Sequence, residues 1–145
     1  MTQGGEKSQQ TVAVIGLGYI GLPTAAALAN GGAKVTGVDV KQSTVDAVNS
    51  AELPFVEEGM QEVLTKAVTS GNLTASLETP AAQNYIVAVP TPFKGDHEPN
   101  LAYIEDAAAK IAPQLKGDEL VILESTSPPG ATERMAQVIL DARPD

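Results

Sequence analysis

Five short runs rich in β-branched and other apolar residues recur along the chain: Thr11 to Ile15 (TVAVI), Lys34 to Val40 (KVTGVDV), Leu73 to Ser76 (LTAS), Tyr85 to Val89 (YIVAV) and Leu120 to Glu124 (LVILE). Most are apolar at successive positions instead of alternating, which is the pattern of strands covered on both faces. Between them, Leu22 to Asn30, Thr44 to Asn49, Gly59 to Thr69, Leu101 to Ala112 and Ala131 to Ala142 carry helical patterns, with Gly31-Gly32, Gly71 and Pro113 where helices should stop. Repeated strand-then-helix order predicts right-handed crossovers and a doubly wound, parallel α/β sheet, ending before or at a sixth strand. Met1 to Gln10 are polar and glycine-containing and are expected to be a disordered lead, with 11–145 forming one domain.

Composition narrows the core and the partners. Aromatic residues make up 3% of the chain and Trp is absent, so the core must be built from Ala, Val, Leu and Ile, which suit close helix-on-sheet packing. Eighteen acidic against nine basic residues give a net charge of -9, which repels nucleic acid and anionic membranes. Neither is expected as a partner. With no cysteine there is no disulfide, no thiolate metal site and no cysteine nucleophile, and with one histidine no metal centre is expected. No run approaches the ~20 apolar residues that cross a bilayer, and the start has no hydrophobic region resembling a secretion signal. The expected location is the cytoplasm.

The chemistry-bearing stretch is GLGYIG, where Gly16, Gly18 and Gly21 stand between the first predicted strand and the first predicted helix. Gly16 suits a tight turn, Gly18 a close backbone approach to a pyrophosphate, and Gly21 close packing of helix on strand. The phosphates would face the N–H groups near Tyr19 and Ile20, where the helix dipole places about half a positive charge. Asp39 ends the second strand eighteen residues beyond Gly21, the placement of a carboxylate that accepts both hydroxyls of an adenosine ribose. That acid repels a 2′-phosphate, which favours NAD over NADP, and Lys41 softens the repulsion. The same pattern also fits a turn that binds nothing, or another adenosine ligand such as an S-adenosyl donor. Strand, glycines, helix and acid in register favour a Rossmann-type NAD site.

Two further stretches follow the fourth and fifth strands, where ligands of such sheets bind outside the carboxyl ends. In VAVPTPFKGDHEPN, Val89, Pro90 and Thr91 are candidate cofactor contacts, and Asn100 suits a helix cap. In LESTSPPGATERM, Thr126 can point toward the nicotinamide or hydrogen-bond the start of the next helix, and Glu124 reads as a strand-end residue. His97, flanked by acidic residues, fits a solvated loop position better than a general base.

Read in order, VIGLGYIGLPTAAALA, VPTPFKGDHEPN and IAPQLKGDELVILESTSPPGATERMA closely resemble the N-terminal domain of the UDP-glucose/GDP-mannose dehydrogenase family, the nucleotide-sugar 6-dehydrogenases. The resemblance runs from about Thr11 to the last residue. It implies a Rossmann domain that binds NAD, with Gly16, Gly18, Tyr19, Ile20 and Gly21 at the pyrophosphate, Asp39 at the ribose, Thr91 on the cofactor and Thr126 near the nicotinamide and reacting carbon. It implies a UDP-sugar as substrate of the full-length enzyme, homo-oligomeric assembly, and oxidation of the sugar C6 hydroxyl to a carboxylate through a thiohemiacetal on a cysteine. The motifs stand nearest those of enzymes acting on UDP-N-acetyl-D-mannosamine. Pro129, where the family more often has valine, and the loose match of LPFVEEGM leave UDP-glucose or another nucleotide sugar as alternatives.

In the family the catalytic cysteine and most sugar-binding residues lie further along than this chain runs. The chain is therefore expected to bind NAD without completing the oxidation by itself. A regulatory NAD-binding module without chemistry is the reading from another class. Without a sixth strand, LVILE is expected to be an apolar, unpaired edge that recruits partners.

Overall fold

The computed structural model describes residues 9–90, 93–94, 98–124 and 129–143. Five parallel strands, β1 (Thr11–Ile15), β2 (Lys34–Val38), β3 (Leu73–Ser76), β4 (Asn84–Val87) and β7 (Leu120–Leu123), form one sheet in the order β3-β2-β1-β4-β7. The chain runs outward one way through β1, β2 and β3, then returns to the other side of β1 for β4. That reversal sets a switch point between β1 and β4, where Ile15 is in register with Val38 on one side and Val87 on the other. A short antiparallel pair, β5 (Phe93–Lys94) with β6 (Glu98–Pro99), follows β4. No alternation of residues announced it in the sequence.

Helices α1 (Gly21–Asn30), α2 (Gln42–Asn49), α3 (Met60–Thr69), α4 (Ala102–Ile111) and α5 (Ala131–Ala142) cover the two faces. Side-chain alternation along β1 explains the division. Val12 and Val14 pack with Leu22, Ala26, Leu64 and Leu73 on the α1/α3 side, while Ala13 and Ile15 pack with Tyr85, Ile104, Ala108 and Met135 on the α4/α5 side. Alanines at 25, 26 and 29 let α1 lie close on the sheet, as a core nearly free of aromatics requires. Gly31 ends α1, its N–H donating to the Ala27 and Leu28 carbonyls, and Gly32 follows with φ +106°.

The link from β3 to β4 has no helix. It is pinned instead by the fully buried Tyr85, whose hydroxyl accepts the Ala82 N–H at 3.0 Å and donates to the Pro80 carbonyl at 2.9 Å. Burial pushes this phenol above its ordinary pKa. The α1-side face of β4 and β7 stays open as a cleft of about 720 Å³, and Leu120 and Ile122 of the outermost strand are 55% and 42% exposed. At the N-terminus, Gln9 and Gln10 are tied to the domain, although the sequence places them in the lead. The Gln9 side-chain amide donates to Gly32 and Asn72, and the Gln10 carbonyl accepts the Lys34 N–H.

Candidate cofactor-binding site

The carboxyl ends of β1, β2 and β4 open into a cleft of about 730 Å³. Its floor is the turn from β1 into α1. Gly16 takes φ +102°, donates its N–H to the Val38 carbonyl at 2.7 Å, and has no room for a side chain, because a Cβ there would lie 2.6 Å from the Ala88 carbonyl oxygen. A Cβ on Gly21 would fall 1.7 Å from the Gly16 carbonyl oxygen and 3.3 Å from the Ala88 Cβ. Gly18 differs from both, since a Cβ there would meet nothing within 4 Å. Two glycines are thus required by packing, and one leaves space on the cleft side of the loop. Leu17 turns inward and is 2% exposed, and its side chain occupies the space above Gly37 of β2.

Helix α1 starts here without a side-chain cap and without an acidic residue in its first turn. The Leu22 and Thr24 N–H groups bond back to the Gly18 and Ile20 carbonyls, and Pro23 occupies a first-turn position where its missing N–H costs nothing. The helix itself thus places no carboxylate and no side-chain cap at its positive end, which suits an anion.

Asp39 lies beside this loop, half-buried, with both carboxylate oxygens already oriented. Oδ2 accepts the Leu17 N–H and Oδ1 accepts the Lys41 N–H, each at 3.0 Å. Each oxygen keeps a lone pair for a further donor, so the carboxylate is preorganised for two hydroxyls. Val89 and Pro90 line the same cleft from the end of β4. The structure thus brings together Gly16, Gly18, Tyr19, Ile20, Asp39, Lys41, Val89 and Pro90 along one cleft, with Gly21 packed beneath it. Thr91, Thr126 and His97 lie outside the described residues. The N-cap position of α4 falls on Leu101, without a side-chain cap, and Asn100, one residue earlier, accepts the Ala102 N–H at 3.0 Å.

Several cleft residues were not read from the sequence. Phe55, between α2 and α3, places its ring 4.4 Å from that of Tyr19, which is otherwise 68% exposed. Leu77 and Thr79 after β3, and Tyr103, Asp106, Ala107 and Lys110 of α4, form the far wall. Glu124 is more than a strand end. Its carboxylate accepts the Thr24 hydroxyl at 2.6 Å, linking β7 to the first turns of α1.

A parallel sheet in the order β3-β2-β1-β4-β7, a glycine turn opening a helix at its switch point, and a preorganised acid following the second strand define a dinucleotide-binding Rossmann domain. The comparisons with known proteins specify which. Residues 10–145 match the UDP-glucose/GDP-mannose dehydrogenase family, NAD binding domain, and the chain belongs to that family as its NAD-binding domain. It is 54% identical over 138 residues to the UDP-N-acetyl-D-mannosamine dehydrogenase of Yersinia pestis, covering 95% of this chain and 33% of that protein. It is 47% identical over 136 residues to the NDP-N-acetyl-D-galactosaminuronic acid dehydrogenase of Ralstonia nicotianae, covering 94% of this chain and 32% of that one. The solved UDP-N-acetyl-mannosamine dehydrogenase of Staphylococcus aureus superposes with a TM-score of 0.87 at 34% identity, over 93% of this chain and 33% of that structure. The chain spans about a third of the length of these relatives.

Proposed function

We infer that the chain is the cofactor half of a nucleotide-sugar 6-dehydrogenase that takes UDP-N-acetyl-D-mannosamine to UDP-N-acetyl-D-mannosaminuronic acid in two NAD-dependent steps. The observation that carries this reading is the 54% identity, sustained over 95% of the chain, to a protein of that name. The 47% identity to a galactosaminuronic acid enzyme supports the alternative of another nucleotide sugar, UDP-glucose among them.

The residues present fit the cofactor. The uncapped start of α1 and the open space over Gly18 receive a pyrophosphate, with Tyr19 and Ile20 presenting backbone N–H groups. Asp39 accepts the two adenosine ribose hydroxyls and disfavours a 2′-phosphate, with Lys41 beside it. Val89, Pro90 and Thr91 flank the dinucleotide at the switch point, and Thr126 positions the nicotinamide against the reacting carbon. Bound NAD supplies the hydride acceptor for each oxidation. No cysteine exists among the 145 residues, so a thiohemiacetal cannot form on this chain. The chain binds NAD and leaves the sugar unoxidised when alone. It associates with further copies of itself, and it works in the cytoplasm.

Calorimetric titration of the chain and of an Asp39→Ala variant with NAD, NADP and UDP-N-acetylmannosamine tests this. Expected is saturable NAD binding, weaker NADP binding, an NAD affinity about tenfold or more lower in the variant, and little heat from the sugar nucleotide. Absence of NAD binding overturns the cofactor reading, and an unchanged variant overturns the role of Asp39. NADH formation from UDP-N-acetylmannosamine by this chain alone would overturn the requirement for a cysteine.

A further inference from the structure

The glycine turn is held firmly at its two ends and carries free donors in its middle. Leu17 is fixed, its side chain buried and its N–H on Asp39, and the Gly18 and Ile20 carbonyls accept the Leu22 and Thr24 N–H groups of α1. The N–H groups of Gly18, Tyr19 and Ile20 have no partner among the described residues. Amides with no partner in the fold turn toward water unless the chain holds them, and an anion that needs them together then bears the cost of gathering them. A brace at the middle of the turn removes that cost from binding.

Tyr19 stands at that point. It is the most exposed side chain of the turn, yet its ring centroid lies 4.4 Å from that of Phe55, with the two planes tilted by 36°. Phe55 reaches it from the strap of residues 50–59 between α2 and α3, and the strap is fastened at both ends. The Gln61 side-chain amide donates to the Ala51 carbonyl at 2.6 Å, the Glu52 N–H to the Ala47 carbonyl at 2.8 Å, and the Met60 N–H to the Glu57 carbonyl at 3.3 Å. In its middle, Leu53 and Phe55 pack against the α1/α3-side core, while Val56 is 96% exposed. Phe55 thus sets an anchored ring against the ring of the turn, a contact with large area and few rotatable bonds.

We propose that Phe55 is a positioning residue for the dinucleotide phosphates: its ring braces Tyr19 and so holds the free N–H groups of residues 18–20 in place before the ligand arrives. The inference rests on the proposed NAD reading. It concerns the backbone of the turn, and Phe55 acts through Tyr19 without touching the dinucleotide.

A double-mutant cycle on NAD affinity tests this, with titrations and melting curves for the parent chain, Phe55→Leu, Tyr19→Leu and the double variant, and with Phe55→Tyr and Val56→Ala beside them. Each single leucine variant should bind NAD about three- to tenfold more weakly. The double variant should bind no more weakly than the weaker single, because the two rings act as one unit. Phe55→Tyr keeps a ring and should bind like the parent, as should Val56→Ala on the exposed side of the same strap. In the ligand-free chain, NMR relaxation should show the backbone order parameters of Gly18, Tyr19 and Ile20 falling in Phe55→Leu, with those of Gly16 and Leu17 unchanged. Losses that multiply in the double variant, or order parameters of the turn that do not change, would overturn the proposal while leaving NAD binding intact. A parent chain that binds no NAD would overturn the cofactor reading and this proposal with it.

Discussion

The three glycines of the turn respond differently to the same methyl group, and Gly18→Ala against Gly21→Ala separates binding from folding. A Cβ on Gly21 would sit 1.7 Å from the Gly16 carbonyl oxygen, about half a van der Waals contact distance, and that obstacle is backbone, not a flexible side-chain end. The β1–α1 junction would have to open by more than 1 Å against β4, which we expect to cost at least about 3 kcal/mol. For a domain of this size that is a melting temperature lower by about 10 °C. Gly18 has no positive φ and a Cβ there touches nothing, so Gly18→Ala should leave stability unchanged or raise it by about 0.4–1 kcal/mol through the unfolded chain. On the proposed reading the pyrophosphate passes over this glycine, which lines the cleft, and an added methyl competes with it for the open space. Displacing that group removes one or two charge-assisted hydrogen bonds, about 1.5–3 kcal/mol, or roughly 10- to 150-fold in NAD affinity. Melting curves and NAD titration on both variants measure the two effects independently. Gly18→Ala binding NAD within threefold of the parent, or Gly21→Ala melting within about 2 °C of it, would refute the assignment of roles.

Three other consequences are open to measurement. Phe55→Leu keeps an apolar side chain against the α1/α3 core but removes the ring beside Tyr19, so NAD affinity should fall a few-fold with the melting temperature nearly unchanged; a loss of stability without a loss of affinity would make Phe55 structural only. Glu119 accepts the Gly117 and Lys116 N–H groups at 2.8 and 2.7 Å, which holds its carboxyl below the ordinary value of 4.5. The folded state thus favours the charged form, and the stability so gained is present above the ordinary value and lost as pH falls through the lowered one. Glu119→Gln should melt lower than the parent at neutral pH and converge with it on acidification; a gap that widens toward acid would contradict the sign. Leu120 and Ile122 expose an apolar edge strand, so the parent should self-associate as concentration rises in sedimentation, and Ile122→Lys should not; a monomeric parent at high concentration would end that reading.

Most of the architecture was legible because its signals are local. β1, β3 and α5 fall at the boundaries their apolar runs predict, and Gly32 after α1 and Gly71 after α3 take positive φ where the helices were expected to stop. The main sheet's five strands were all expected: the buried inner strands β1, β2 and β4 carry runs rich in apolar residues, while the edge strands β3 and β7 are only partly buried. The pair β5 and β6 was missed because two-residue strands bury too little for any periodicity to show. The second strand ends at Val38, short of Val40; the Asp39 N–H still donates to the Ser76 carbonyl of β3, and its carboxylate accepts the Leu17 and Lys41 N–H groups.

The site divides along the same physical line. Residues that act through backbone shape, such as Gly16, Gly18 and Asp39 at its fixed spacing, can be found from sequence because chain geometry ties their positions together. The wall of the cleft is assembled by topology. Thr79 comes from the link after β3, Tyr103 and Asp106 from a helix beyond β4, and Phe55 from between α2 and α3, with no spacing rule joining them. Glu124 shows the same limit from another direction. Its partner Thr24 is 100 residues away, and only the placement of β7 next to β4 brings it to the helix that faces the cleft. That contact joins the end of β7 with the first turns of α1, whose start opens onto the cleft. Thr24→Val should therefore lower the melting temperature and, on the proposed NAD reading, NAD affinity together, because it removes the 2.6 Å hydrogen bond that ties the end of β7 to α1; an affinity and a melting temperature both unchanged would end that reading.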